Sequence, residues 1–172
     1  SLSKRTRFAV EIMEAIRGEI GDDFPMILRF SQWKQQDFEA RLAQTPEELE
    51  QFLSPLSDAG VDIFHGSNRR FWEPEFEGSS LNLAGWVKKI TGKPTISVGS
   101  VGLTEEFVAT YRDGSAEVAG IDELISRMEA DEFDLIAVGR ALLANPDWAD
   151  KIRNNDMDSI ETFSKEQLTE LV

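Results

Sequence analysis

The sequence contains no cysteine, one histidine (His65) and one tyrosine (Tyr111) among its 172 residues. The absence of cysteine excludes disulfides, thiol nucleophiles and thiolate metal sites, and it suits a protein of the reducing cytoplasm, where we expect this one to work. A single histidine, with no carboxylates at a repeated ligand spacing, predicts no metal site.

Positive charge is also scarce, because 18 Lys and Arg residues stand against 32 Asp and Glu, for a net charge of −14. This balance argues against nucleic-acid binding, which needs a basic face. No apolar stretch approaches the roughly 20 residues that cross a bilayer, and no basic segment leads into an apolar one. We therefore expect neither a membrane span nor a signal peptide. No linker or low-complexity tract interrupts the chain, so residues 1–172 are predicted to form a single unit.

Four short apolar runs, rich in branched and aromatic residues, are typical of parallel strands buried on both faces. They comprise residues 25–30, 61–65, 94–98 and 133–138. The segments between them predict helices at residues 8–20, 45–60, 83–90 and 121–128, another after Asn145-Pro146, and a last turn from Ser164. The best-marked start has Thr45 as N-cap, Pro46 in the first turn and Glu48 to complete a capping box. These repeats predict an α/β fold, which the pattern alone leaves open between an open sheet and half of a β/α barrel.

Two of the predicted strands end in residues suited to phosphate. Val138 is followed by Gly139 and Arg140, and Val98 is followed by Gly99 and Ser100. Glycine lets the backbone N–H approach an oxyanion, and arginine adds a forked positive charge. We therefore predict one phosphorylated ligand held between these strand ends. The opposing interpretation is that the glycines only make turns and that Arg140 is a surface charge.

Several motifs, in this order and spacing, resemble the C-terminal half of the old yellow enzyme family, the FMN-dependent NAD(P)H:flavin oxidoreductases. The resemblance extends to about Arg153, and the matching stretches are residues 1–8, 21–29, 59–62, 98–100 and, most specifically, 138–147. It implies that the chain forms strands five to eight of a TIM (β/α)8 barrel whose N-terminal half is absent from this chain.

The resemblance also implies roles for individual residues. Arg29 is similar to the family arginine that stabilises the negative charge of the reduced flavin, although it could instead be a salt-bridged arginine at a strand end. Gly99 and Ser100 correspond to the phosphate loop after strand seven. Gly139 and Arg140 correspond to the phosphate contacts after strand eight.

Three aromatic residues follow predicted strands, on the rim where such barrels build active sites: Trp33, Phe71 and Trp72. They are candidates to line a substrate pocket, or they pack beneath their own loops.

Charged and polar residues near these aromatics are less specific. Arg69 and Arg70 could face the phosphates of a nicotinamide dinucleotide, but we favour pairing with Glu73, Glu75 and Glu77. His65 is interpreted as structural, and Tyr111 is expected in a surface loop over residues 109–114.

By resemblance, this chain is the FMN-binding half of an ene-reductase-type enzyme that uses NADH or NADPH. The family's substrate anchor and proton donor precede Ser1, so no catalytic residue is assigned here and the chain alone should be inactive. The expected partners are an N-terminal half-barrel polypeptide, or a second copy of the chain, and a small-molecule substrate. The alternative is a half-barrel without redox chemistry that binds phosphate ligands or associates with itself as a scaffold.

Overall fold

The computed structural model describes residues 2–169, except for the side chains of Ser3, Tyr111 and Asp113. Helices and strands alternate along most of the chain. The strands are β1 (Ile27–Phe30), β2 (Ile63–Gly66), β3 (Thr95–Val98), β4 (Ser115–Ala116), β5 (Leu135–Ala137) and β6 (Phe163–Ser164). The helices are α1 (Leu2–Ile20), α2 (Pro46–Asp58), α3 (Leu83–Thr91), α4 (Phe107–Asp113), α5 (Asp122–Glu129), α6 (Arg140–Ala144) and α7 (Trp148–Arg153). Two 3-10 turns follow, Met157–Ser159 and Lys165–Leu168.

Four strands form one parallel sheet in the order β1-β2-β3-β5, so neighbours in the sheet follow the chain with no reversal of order. This confirms the predicted α/β class and its four strands. β4 and β6 pair separately as a short antiparallel ladder. The predicted loop at residues 109–114 is wrong, because the backbone there belongs to α4, which ends at Gly114. The position of the Tyr111 side chain lies outside what the structure describes.

The helix starts follow local hydrogen-bonding chemistry. At α2 the Thr45 hydroxyl accepts from the Glu48 N–H at 3.3 Å, and Pro46 occupies the first turn. The predicted capping box at α2 is wrong, because the Glu48 carboxylate accepts from the N–H of Gln44 at 2.7 Å and not from that of the N-cap Thr45. At the chain's last turn Ser164 and Gln167 do form a reciprocal capping box. Both helix starts therefore lie where the sequence predicts them.

The sheet has one covered face and one open face. On the covered face Phe64, Thr95 and Ser97 are fully buried, and Phe64 packs with leucines of α2 and α3. On the opposite face, Ile27 of β1 is 52% exposed and Leu135 of β5 is 50% exposed. The expectation of strands buried on both faces is therefore wrong for this chain, because its helices cover only one side of the sheet. The sequence nevertheless supplies apolar residues to both sides.

Helix α1 also has an uncovered apolar stripe. The predicted helical spacing of Phe8, Ile12, Ile16 and Ile20 is present, but these side chains point to the surface, with Phe8 73% exposed. The helix packs on the core through other residues, among them Leu2 and Ala9. Among residues 2–169 no helix combines the length and apolar character that crossing a bilayer requires.

Two aspartates tie neighbouring strands together at their amino ends. Asp62, before β2, accepts from the N–H of Met26 at 2.7 Å and from Arg17 at 2.5 Å. Asp134, before β5, accepts from the N–H of Thr95 at 2.8 Å. The Met26 N–H and then Arg17 hold the pKa of Asp62 below its usual range, although partial burial opposes the shift. The amino ends of the strands are therefore held together by stabilising contacts. A ligand site is expected at the opposite end, where the strands have their carboxyl ends.

Candidate functional site

A cavity of about 740 Å³ opens at the carboxyl ends of all four parallel strands. Each strand or the loop that follows it contributes to the wall, because parallel strands bring their carboxyl ends to one edge of the sheet. The lining includes Arg29 of β1 and Trp33 after it, residues 67–69 after β2, residues 98–101 from the last residue of β3 onward, and residues 137–140 from the last residue of β5 onward. A volume in this range is typical of sites for cofactors and small molecules.

Gly99 permits the tightest backbone packing in the wall. Its φ is +128°, and a Cβ placed there would lie 2.8 Å from the backbone of Asn68 and Arg69. Only glycine therefore lets the loop after β3 press against the loop after β2. The next residue, Ser100, has a φ of +51°, and its hydroxyl lies 3.2 Å from the carbonyl oxygen of Arg69 and 3.0 Å from that of Glu105.

Backbone N–H groups at two places beside the cavity have no protein acceptor. Within residues 2–169, no carbonyl or side chain accepts from the N–H of Ser100 or Val101. The same holds for Arg140 and Ala141, which begin α6 without a side-chain cap. Gly139 precedes them, and no atom lies within 4 Å of the position a Cβ would take there. The structure thus brings all four predicted phosphate residues to one cavity and leaves N–H donors beside it.

Arg29 lies in β1, level with His65 of β2, and lines the cavity. Its Nη2 donates to the hydroxyl of Ser67 at 3.1 Å. No carboxylate lies within ion-pair distance of Arg29 in the described part of the chain, so it is not the salt-bridged arginine that the sequence left open. An unpaired guanidinium at the base of a cavity is placed for an anionic or electron-rich ligand.

Arg140 is half-buried rather than a free surface charge. It donates through Nη1 to the Thr110 hydroxyl and through Nη2 to the carbonyl oxygen of Glu105 at 2.7 Å. Burial lowers the pKa of Arg140, although the charges of Glu106 and Glu105 oppose the shift. Its remaining N–H groups border the cavity, where they are available to a ligand.

Arg69 and Arg70 point to different places. Arg70 pairs with Glu73 at 2.9 Å, as predicted. The same prediction is wrong for Arg69, whose Nη2 lies 3.3 Å from Glu106, and whose guanidinium stacks over the ring of Phe38 at 4.3 Å. Arg69 lines the cavity with Glu106. Burial raises the pKa of Glu106, but hydrogen bonds from two α4 N–H groups and the charge of Arg69 outweigh it, so this carboxylate stays ionised.

The three aromatic candidates separate in the structure. Trp33 lines the cavity and packs against Phe38 with their ring centroids 5.3 Å apart. Phe71 and Trp72 do not line it, so their candidacy as pocket residues is corrected. The N–H of Phe71 donates to the carbonyl of Gly99, and Phe71 packs in the core, where it is 3% exposed. Trp72 packs edge-on against Phe71 at 4.9 Å.

His65 does not line the cavity, and its assignment as a structural residue stays a prediction. Its Nε2 is buried without a hydrogen-bond partner among the described residues, and burial, followed by the charge of Arg29, lowers the pKa of the imidazole. The ring is therefore neutral near pH 7. Within residues 2–169 no group of histidine and carboxylate side chains could hold a metal ion.

Sequence reasoning missed several lining residues. Ser67, Asn68 and Glu106 are examples. Ser67 and Asn68 follow a strand but belong to no recognisable motif. Nothing in the sequence distinguishes Glu106 from the other acidic residues. One signal was available for the apolar wall, because Phe107 and Val108 stand out in a polar stretch and both are exposed at the cavity.

Charge in the cavity is opposite in sign to the charge of the chain. Three arginines line it, Arg29, Arg69 and Arg140, against the single carboxylate of Glu106. The whole chain carries a net charge of −14. Three cations against one carboxylate in so acidic a chain, next to N–H groups that have no protein acceptor within residues 2–169, favour an anionic ligand.

The chain belongs to the NADH:flavin oxidoreductase / NADH oxidase family, whose model matches residues 1–159. The chain is 30% identical over 168 residues to an NADH oxidase of Thermoanaerobacter brockii. This match covers 93% of the chain and 23% of that protein. An NADPH dehydrogenase of Clostridium acetobutylicum is 28% identical over 148 residues, 85% of this chain and 38% of that protein. The chain thus spans well under half the length of these relatives.

The fold is shared with solved flavoenzyme structures. An old yellow enzyme homologue from Zymomonas mobilis superposes with a TM-score of 0.64 at 13% identity, covering 100% of this chain and 44% of that one. At this identity the likeness speaks for the fold alone.

Proposed function

We propose that this chain is the FMN-binding C-terminal half of an NAD(P)H-dependent flavin oxidoreductase. One observation carries the proposal: a cavity with three arginines and two sets of free N–H groups at the carboxyl ends of four parallel strands. The residues present fit FMN. A doubly charged phosphate finds N–H donors at Ser100 and Arg140, and no side chain fills the space beside Gly139.

Each group in the site has a distinct task under this proposal. The N–H groups after β3 and β5 hold the phosphate, and Arg140 adds its charge there. Arg29, on the other side of the cavity, places a permanent positive charge where a ring system would lie. Trp33 and its neighbour Phe38 exclude water from one side. When bound, FMN supplies hydride transfer between the nicotinamide reductant, NADH or NADPH, and an electron-poor acceptor.

We further propose that the sheet forms strands five to eight of a β/α barrel. The open face of the sheet and the exposed residues Ile27 and Leu135 on its two edge strands support this, because parallel sheets are normally covered on both faces. The exposed stripe of α1 is a further surface for a neighbour. The partner would be an N-terminal half-barrel polypeptide or a second copy of this chain, and the chain alone would be inactive.

The reaction type we propose is reduction of an activated alkene or similar acceptor, in the cytoplasm. The substrate anchor and the proton donor would come from the missing half, since the cavity as described has no tyrosine or histidine in its wall. The alternative, a phosphate-binding scaffold without redox chemistry, is not favoured, because the chain belongs to a flavin oxidoreductase family.

Replacement of Arg29 tests the flavin assignment. Arg29→Ala should weaken FMN binding about 10- to 100-fold, the range for a lost charge-assisted hydrogen bond, and slow reduction of the bound flavin by NADH or NADPH. Binding of inorganic phosphate should not change. Arg153→Ala is the matched control, because Arg153 is exposed and pairs only with Asp150 in the described structure. Unchanged FMN affinity and reduction rate in Arg29→Ala would argue for the scaffold alternative.

A further inference from the structure

We propose that Arg69 is the second cation of the phosphate site, acting beside Arg140. Neither the family resemblance nor the sequence motif assigns this residue to a ligand. The inference rests on the proposed function, because it takes the phosphate of FMN as the ligand of this end of the cavity.

The backbone places Arg69 directly against the phosphate loop. The Cβ position of Gly99 lies 2.8 Å from both the carbonyl carbon and the carbonyl oxygen of Arg69. The same carbonyl oxygen lies 3.2 Å from the hydroxyl of Ser100. The backbone of Arg69, in the loop after β2, therefore lies against the loop after β3, whose N–H groups are proposed to bind the phosphate.

The two arginine side chains converge on adjacent residues. Arg140 donates through Nη2 to the carbonyl of Glu105 at 2.7 Å, and Nη2 of Arg69 lies 3.3 Å from the carboxylate of Glu106. The hydroxyl of Ser100 also lies 3.0 Å from the Glu105 carbonyl. Arg140 thus shares the Glu105 carbonyl with Ser100, and Arg69 reaches the adjacent residue, Glu106, from the loop after β2.

Arg69 is only weakly engaged by its present partner. Its contact with Glu106 is longer than the ion pairs of Arg17, at 2.5 Å, and of Lys151, at 3.1 Å. Glu106 already accepts from two α4 N–H groups at 2.8 Å each, so Arg69 is only one of the groups that hold this carboxylate. Within the described residues no other group accepts from this guanidinium, and its Nε is buried with no acceptor.

The stacking of Arg69 on Phe38 restrains its guanidinium before any ligand binds. A guanidinium held over a ring, here with its carbon 4.3 Å from the centroid of Phe38, loses little further freedom when it binds, and its planar fork matches the oxygens of a phosphate. Glu106 limits its rotation without neutralising all of its donors. Arg70 offers the contrast, since it is bonded to Glu73 and does not line the cavity.

The test compares FMN with riboflavin, which lacks the phosphate. Dissociation constants for both are measured by flavin fluorescence on protein purified natively, together with any polypeptide that accompanies it. Arg69→Ala should lose about 10- to 100-fold in FMN affinity, the range for a charged hydrogen bond, and less than about threefold in riboflavin affinity. Arg70→Ala should change neither. Arg69→Lys, which keeps the charge without the fork, should recover part of the loss.

The outcomes separate this inference from the proposed function. Equal losses for FMN and riboflavin, or no loss for either, in Arg69→Ala would overturn the role of Arg69. If Arg140→Ala reduces the preference for FMN while Arg69→Ala does not, only this inference fails. If the unmodified protein binds FMN no more tightly than riboflavin, the phosphate site itself fails. Should Arg69→Ala not fold, Arg69→Gln decides, because an unchanged preference for FMN in a variant without the charge would overturn the role of Arg69.

Discussion

Replacing Gly99 by alanine is the sharpest test of how the cavity wall is built. The residue combines a φ of +128° with a Cβ position 2.8 Å from three backbone atoms of Asn68 and Arg69. A flexible side chain could move aside, but backbone atoms of a packed loop cannot do so cheaply. Alanine must therefore either distort its own backbone or push the loop after β2 away from the cavity.

The cost can be estimated from these two effects. A positive φ costs an L-residue about 1–2 kcal/mol, and forcing an extra carbon into a packed site costs about 1–3 kcal/mol. A free energy of unfolding lower by about 3 kcal/mol is the central expectation. In a chain of this size that corresponds to a melting temperature lower by roughly 6–12 °C.

Gly139→Ala is the matched control for this prediction. No atom lies within 4 Å of its Cβ position, so its free energy of unfolding should stay within about 0.5 kcal/mol of the parent protein. Its FMN affinity should fall, because the methyl group enters the space proposed for the phosphate. Urea denaturation followed by circular dichroism measures both variants. Equal stabilities of Gly99→Ala and Gly139→Ala would refute the packing argument.

Two further predictions concern the amino end of the sheet and the surface of α1. Asp62 and Asp134 have pKa values held below the usual range, so their contribution is present above the unfolded pKa near 4 and is lost as pH falls through the lower folded values. Asp62→Asn should lower the free energy of unfolding by about 1 kcal/mol at pH 7 and flatten its acid dependence, which urea titrations at pH 3 to 7 would show. The argument would be contradicted if the free energy of unfolding of Asp62→Asn changed with pH as steeply as that of the parent protein. Phe8→Ser should leave that free energy unchanged but weaken association with the partner by about tenfold, measured by sedimentation; unchanged association would exclude the α1 stripe from the interface.

The sheet could be predicted from sequence because its strands are short apolar runs bounded by turn residues. Gly99 and Gly139 were recognisable for the same reason, since each ends such a run in a phosphate-binding pattern. Helix α4 was missed because its segment is polar and ends at Gly114, which reads as a loop. The N-cap of this helix is Glu106, whose carboxylate accepts from two backbone N–H groups. Glutamate is not among the preferred N-cap residues, so its identity does not indicate a helix start.

Tertiary contacts decided what local pattern could not. Phe71 belongs to a loop whose aromatic residues suggest a pocket, yet it packs in a core cluster with residues distant in sequence, among them Val101 and Phe133. The two-residue strands β4 and β6 are too short for any periodicity to indicate them. Arg69 and Arg70 are identical and adjacent in sequence, and only the path of the chain sends one to the cavity and the other to Glu73.

Denaturing mass spectrometry of natively purified protein tests the central claim most directly, since it reports every polypeptide and every released small molecule. We predict that FMN is released and that the chain is accompanied by polypeptide sufficient to complete the barrel. A single polypeptide of this mass, folded and free of flavin, would contradict the account and leave the oxidoreductase assignment as a statement about ancestry.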